Sequence, residues 1–359
     1  MKQLQELHIQ TRVTSLLQKS ISNQHIHHGY LFYGEKGTGK LATALSFAYH
    51  LTCATDTEHP CGTCPSCVKN QKGGHPDVHL YFPTNIKNGA ADPKTVDEGL
   101  AHYKTNPFAS FKVTGNKSHF VETIRQIKSE SKFPPHEAKR KVYIIHEIEY
   151  MNDASANAFL KLLEEPPENT IIIMTTTHLD GILPTIQSRC QKLFFSHLTE
   201  TQIEQILSSY TTNYSPLAIK LAYGNCAKAF EYAQEDFTEL RQRVTNFLRY
   251  SVMNKPVEIT EIIEQLTKRK NKDLITDFLN LLLFWFQDAS HIKQSSDLNH
   301  IINIDLQAEL AKFTAHYGER DFLKLIDCIE ETKEAIYANV HTSIALSHMA
   351  IRINKLLIN

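Results

Sequence analysis

Two runs of β-branched residues constrain the fold most: Val142–Ile145 and Thr170–Thr177. Between them lies a segment with helical spacing, from about Ala154 to Glu164, which stops at Pro166-Pro167. Proline ends a helix because it lacks the N–H and clashes with the preceding turn. Strand, helix, strand in that form predicts a parallel crossover unit in an α/β sheet. The first run leads into His146-Glu147. An acidic pair there, at the carboxyl end of a strand, would sit beside a bound nucleotide and its Mg²⁺. Here the first acid is a histidine.

A second feature belongs with the first. Gly34-Glu35-Lys36-Gly37-Thr38-Gly39-Lys40-Leu41 follows a short strand, Tyr30–Tyr33, and opens a helix that runs to about Leu51. Glycines let backbone N–H groups turn toward an anion, and a helix N-terminus favours negative charge, so this is a phosphate-binding loop in its proper context. Lys40 is placed to reach the terminal phosphates. The last position should carry a Ser or Thr hydroxyl for Mg²⁺ and carries Leu41. His146 offers an imidazole where Mg²⁺ prefers hard oxygen ligands. Glu147, which would polarise the attacking water, remains as a vestige. The sequence therefore predicts a degenerate nucleotide site, formed by Gly34, Gly37, Gly39, Lys40, Leu41, His146 and a strand-end threonine, Thr176. Efficient hydrolysis is not expected there, and binding without turnover stays open.

Four of the seven cysteines, Cys53, Cys61, Cys64 and Cys67, lie in one short stretch. Two overlapping C-x₂-C steps hold thiolates close together, and four sulfurs complete a tetrahedral Zn²⁺ site with no open position for catalysis. Disulfides and a redox pair are the competing readings. The former needs an oxidising compartment and the latter does not need four cysteines. Histidines His25, His27 and His28 precede the first strand without ligand spacing and read as loop.

With 359 residues the chain has room for two or three domains. Hydrophobic residues make up 42% and charged residues 21%, with a formal net charge of -1. No overall basic field marks a nucleic-acid binder, so contact with DNA would come through local patches or partners. No apolar window is long enough for a membrane span, and the first ten residues have no apolar signal core. A cytoplasmic location is expected.

The order of GEKGTGK, the cysteine cluster, KVYIIHEIEYM, NAFLKLLEEPPENT and Ser188-Arg189-Cys190 resembles the clamp-loader branch of the AAA+ proteins, and within it the delta-prime family of bacterial DNA polymerase III. The likeness is specific over about Gln24–Asn70 and Ser118–Phe195 and architectural beyond. It implies an α/β AAA+ P-loop domain with an inserted zinc module (residues 1–196, zinc at about 53–67), a small helical lid (197–242) and an all-α collar for oligomerisation (243–359). It implies a hetero-pentamer with tau/gamma and delta subunits, acting through the complex on a sliding clamp and primed DNA, with no membrane role. Arg189 would serve as a finger on ATP and Mg²⁺ held by the neighbouring subunit, while nucleotide in this chain's own site is doubtful. Tau/gamma relatives keep the intact loop and acidic pair that this chain lacks. An active ATPase of that type and a zinc-stabilised scaffold are the alternative readings.

The remaining segments read less sharply. Residues 1–29 predict a helix, with Leu4, Leu7, Val13, Leu16, Leu17 and Ile21 at helical spacing. Thr84–Lys117, polar with scattered aromatics (Tyr103, Phe108, Phe111), reads as an inserted surface loop. Phe120–Ser131 predicts an amphipathic helix. Around Leu198–Gln242 the pattern gives short helices, with Ala227 where relatives carry a basic phosphate contact. The final third is helical and shows no catalytic constellation.

Overall fold

The computed structural model describes the chain apart from residues 1–6, 8, 56–59, 88–89, 114, 116, 120, 213, 215, 235–237, 269–271, 296–300 and 359. The chain forms two compact units, Met1–Tyr214 with Ala222–Ala233, and Ser215–Leu221 with Gln234–Asn359.

In the first unit, strands β1 (Gly29–Tyr33), β2 (Val78–Tyr81), β6 (Lys141–Ile145), β7 (Thr170–Thr176) and β8 (Gln191–Phe194) form one sheet in the order β2-β6-β7-β1-β8. Every pairing in it is parallel. The two β-branched runs are neighbours, with Val142 opposite Ile171 and Ile145 opposite Met174. All residues of β6 and β7 are buried. Two helices cover one face, α5 (Val121–Glu130) and α6 (Asp153–Glu164). Ile124, Ile127, Phe159 and Leu163 join Tyr143, Ile145, Ile172 and Met174 in one apolar cluster. Each such side chain contributes about 1.5–3 kcal/mol on burial. Phe120, the expected start of α5, lies outside the described residues.

Helix α2 (Lys40–Leu51) follows the glycine loop, and α3 (Pro65–Gln71) is capped by Cys64 and contains Cys67. The N-terminal helix is shorter than expected: α1 spans Thr11–Ser22, and Leu4 lies outside the described residues. Gln10 explains the start. Its backbone is left-handed (φ 50), and its side-chain amide donates to the carbonyls of Thr38 (3.1 Å) and Ser196 (2.6 Å). This anchors the entry to the helix on two loops.

Residues 84–117 depart from the sequence reading most. They are not a loop. Strands β3 (Thr84–Lys87), β4 (Ala90–Ala91) and β5 (Lys117–Ser118) make a small antiparallel sheet in the order β4-β3-β5. A thirteen-residue helix, α4 (Pro93–Thr105), runs between β4 and β5. Its buried face is Thr95, Gly99 and Tyr103, residues too polar or too small to stand out as a hydrophobic stripe.

After α7 (Pro184–Gln187) and β8 come α8 (Glu200–Ser208), opened by a Thr199/Gln202 capping box, then α9 (Pro216–Ala222) and α10 (Cys226–Gln234). The helices expected to form a separate lid are thus divided between the two units. The second unit adds α11 (Thr238–Val252), α12 (Pro256–Thr267), α13 (Lys272–Ser295), α14 (Gln307–Tyr317), α15 (Phe322–Tyr337) and α16 (Thr342–Ile358). Phe247, Phe278, Phe286, Leu346 and Ile353 fill its interior. Buried Asp288 is satisfied by the N–H groups of Ile302 and Asn303 and by the Asn303 amide, each at 2.8 Å. No described helix is long and apolar enough to cross a membrane.

Candidate functional site

The sheet order places the ends of β6, β7 and β1 side by side, so His146-Glu147, Thr175–Thr177 and the glycine loop converge. The loop has the expected shape, with Gly34, Gly37 and Gly39 at φ +140, +74 and +87. Its lysine, however, does not reach outward. Lys40 is 6% exposed and donates to the carbonyls of Gly34 and Glu35, both at 2.6 Å. Burial lowers it to about 8 against the opposing pull of Glu149, Glu35 and Glu147. Leu41 is buried and offers no oxygen.

His146 faces the cleft with Nδ1 2.7 Å from Thr175 Oγ1, which also accepts the Glu147 N–H at 3.1 Å. Burial pushes the imidazole down to about 4, so it is neutral at physiological pH and supplies no anionic ligand. Glu147 sits in left-handed backbone (φ 56), a conformation that costs about 1–2 kcal/mol in a residue with a Cβ. Its carboxylate meets Lys117 at 2.7 Å. Burial opposes its ionisation, but His146 and Lys117 outweigh that and hold it well below the usual carboxylate range. The other strand-end groups are also committed. Thr176 Oγ1 takes the His178 N–H at 3.1 Å, and Thr177 donates to Glu149 through N–H and hydroxyl. Ala227 lines the cleft, and Lys228 beside it pairs with Glu231 at 3.2 Å.

The remaining wall was not anticipated. Tyr103, Phe108 and Phe111 of the insertion line the same cleft, and its free volume is about 50 Å³. A nucleotide-sized ligand needs roughly 300 Å³ or more. ATP with Mg²⁺ does not fit the residues as they stand, on grounds of both ligand chemistry and space. The aromatics were visible in the sequence, but nothing in their spacing joined them to a loop about seventy positions earlier.

Arg189 lies in the turn between α7 and β8, outside this cleft. Its guanidinium donates to Glu164 (3.0 Å) and to the Thr185 carbonyl (2.8 Å), and its side chain remains 35% exposed. The neighbouring Cys190 thiol is pushed up to about 12 by burial, which suits a packing role.

The four cysteines form a separate centre. Their sulfurs all lie within 4.8 Å of one another, with Cys61–Cys67 at 3.9 Å and Cys53–Cys67 at 3.6 Å. A tetrahedral ion with bonds of about 2.3 Å requires sulfurs about 3.8 Å apart. None is in a disulfide. Backbone N–H groups of Cys61, Cys64 and Cys67 donate to the sulfurs of Cys53, Cys61 and Cys64 at 3.3–3.4 Å. Backbone hydrogen bonds, from Thr63 and then Cys64, lower the half-buried Cys61 thiol to about 5, whereas burial raises Cys67 to about 12. The cluster fits a metal ion such as zinc, which would draw the buried thiol to its thiolate form. No other such cluster occurs among the described residues.

Residues 9–199 match the family model described as DNA polymerase III, delta subunit. The chain belongs to this family. Within it, the chain is 28% identical to DNA polymerase III subunit delta' of Bacillus subtilis over 99% of this chain and 98% of that one, which bears out the resemblance read from the sequence. It is also 34% identical to subunit tau of the same organism, over 54% of this chain and 29% of that one. Among solved structures it is similar to a gamma-subunit-related protein of Thermotoga maritima, at 16% identity, 95% and 98% coverage and a TM-score of 0.43. The α/β assignment for this member of the delta-subunit family rests on its own parallel sheet and glycine loop.

Proposed function

We propose that the chain is a delta-prime-like subunit of a DNA polymerase III clamp loader, organised as P-loop domain, lid (197–242) and collar (243–359). In this reading it joins tau/gamma and delta subunits in a hetero-pentamer that seats a sliding clamp on primed DNA. It does not hydrolyse ATP itself but completes a neighbour's site with Arg189. One observation carries the reading: the cleft has Leu41 and a neutral His146 where Mg²⁺ ligands belong, with Lys40 turned onto its own loop, while Arg189 stays at the surface on a single carboxylate. A planar, permanently charged guanidinium suits a transferring phosphoryl group. An active ATPase of the tau/gamma type is disfavoured by the same cleft. Zinc at the four cysteines would tie α3 to the end of α2 and take no part in the chemistry.

The test is reconstitution with the partner subunits. A finger of this kind is worth on the order of 10³ or more in rate at the site it completes. Arg189→Ala and Arg189→Lys should therefore leave assembly and metal content intact and lower clamp- and DNA-stimulated hydrolysis in part, because the other sites continue. Wild-type loading rates in both variants would leave the scaffold reading in its place.

A further inference from the structure

We infer that the insertion acts as a built-in plug, so that the nucleotide cleft is filled in cis by residues Asn106–Phe111 and capped by Lys117. This deepens the reading of the cleft as a degenerate nucleotide site and rests on it. The missing Mg²⁺ ligands explain the loss of hydrolysis. They do not by themselves explain loss of binding, since a glycine loop and helix N-terminus attract phosphate without metal.

The geometry names the parts. Helix α4 is docked on Phe82: Gly99 packs so closely that a Cβ would come within 3.0 Å of the Phe82 ring, and Tyr103 meets the same ring edge-on at 5.3 Å. The chain then turns at Asn106, whose Oδ1 accepts the N–H groups of Phe108 (3.0 Å) and Ala109 (3.3 Å). That turn delivers Phe108 onto the phosphate-binding loop, where its ring lies 3.4 Å from the position a Cβ on Gly39 would take. Phe108 is 5% exposed and has Tyr210 edge-on at 6.1 Å on its other side. Tyr103 packs edge-on to His146 at 5.5 Å. Farther along, Lys117 closes on Glu147 and lies 4.0 Å over the Tyr150 ring. Apolar rings therefore line the cleft beside the loop, and a lysine of the insertion occupies the carboxylate that would otherwise face an attacking water.

Two measurements on the full chain test this. The first is titration calorimetry with ATP, with and without Mg²⁺, on wild type, Phe108→Ala and a variant in which a Gly-Ser segment of equal length replaces Asn106–Phe111. Wild type should show no binding. The variants should bind at least roughly tenfold above the detection limit, equally with and without Mg²⁺ because the metal ligands are still missing. The second is hydrogen exchange at the amides of residues 37–41, which should rise by about tenfold or more in Phe108→Ala as their cover opens, with α3 unchanged. Binding by wild type as tight as by the variants overturns the plug. So does wild-type exchange as fast as in Phe108→Ala, which remains readable if the segment replacement fails to fold. Released amides with no ATP binding in either variant overturn exclusion by the plug while leaving the degenerate-site reading intact. The Arg189 experiment fails or succeeds independently of all three.

Discussion

Replacing Gly34 by Ala tests why the glycine loop needs a glycine at its first position. Gly34 has φ +140, a region that residues with a Cβ rarely enter, and its Cβ would overlap the Phe195 carbonyl oxygen at less than 3.0 Å. Phe195 is fully buried and hydrogen-bonded to β1, its N–H donating to the Tyr33 carbonyl at 2.8 Å. The oxygen belongs to main chain held just past the end of β8 by that bond and cannot swing away as a side chain would. The conformational part should cost at least about 1–2 kcal/mol, and forcing β8 off β1 adds roughly 1–3 kcal/mol as in other overpacked interiors. Gly34→Ala should therefore destabilise the unit by about 2–5 kcal/mol. Gly115→Ala supplies the control: φ is +89, but nothing lies within 4 Å of its Cβ, so only the conformational part applies. Urea unfolding followed by circular dichroism, with equal m-values for the two variants, measures the difference. Equal losses in both would refute the argument that packing against Phe195, in addition to backbone conformation, demands a glycine at position 34.

Metal analysis of freshly purified, reduced protein should find one zinc per chain. Cys67→Ser, which removes the fully buried sulfur, should abolish it and expose α3 to proteolysis, and a disulfide among the four cysteines would contradict the assignment. The pH dependence of stability should carry the mark of His146. A base pushed down to about 4 by burial takes its proton in the unfolded chain first, so stability falls as pH drops from about 6.5 towards about 4. For that shift the loss between about pH 7 and about pH 5 is at most about 2 kcal/mol. His75, His79 and His119 are shifted the same way by burial, so the comparison must be with His146→Gln, whose profile should be flatter by that amount. Identical profiles would show the imidazole to be solvated.

The parts of this fold legible in the sequence were those in which chemistry and spacing coincide. Val142–Ile145 and Thr170–Thr176 carry unbroken apolar runs and became adjacent buried strands. Cys61, Cys64 and Cys67 are close in space because they are close in sequence. The contact of His146 with Thr175 was within reach as well: once Ile145 pairs with Met174, the next residues of two parallel strands must meet. Helix α4 was not legible, because its buried face consists of Thr95, Gly99 and Tyr103 rather than a stripe of leucines. Nor was the partner of Arg189, since Glu164 is one of several charges at the end of α6 and only the tertiary fold selects it. The inward turn of Lys40 is a matter of rotamer and of what fills the cleft, neither of which composition records.

The bond from the Cys226 N–H to the Gly37 carbonyl (2.9 Å) has a wider meaning. Together with Asn225, which packs so tightly on Gly37 that a Cβ there would overlap its amide oxygen, it fastens the start of α10 directly to the glycine loop. A ligand moves a protein between two conformations only by binding one better than the other. Here main chain grips main chain, so any movement of α10 away from the loop must first break that bond, as a keystone has to be lifted before an arch can shift.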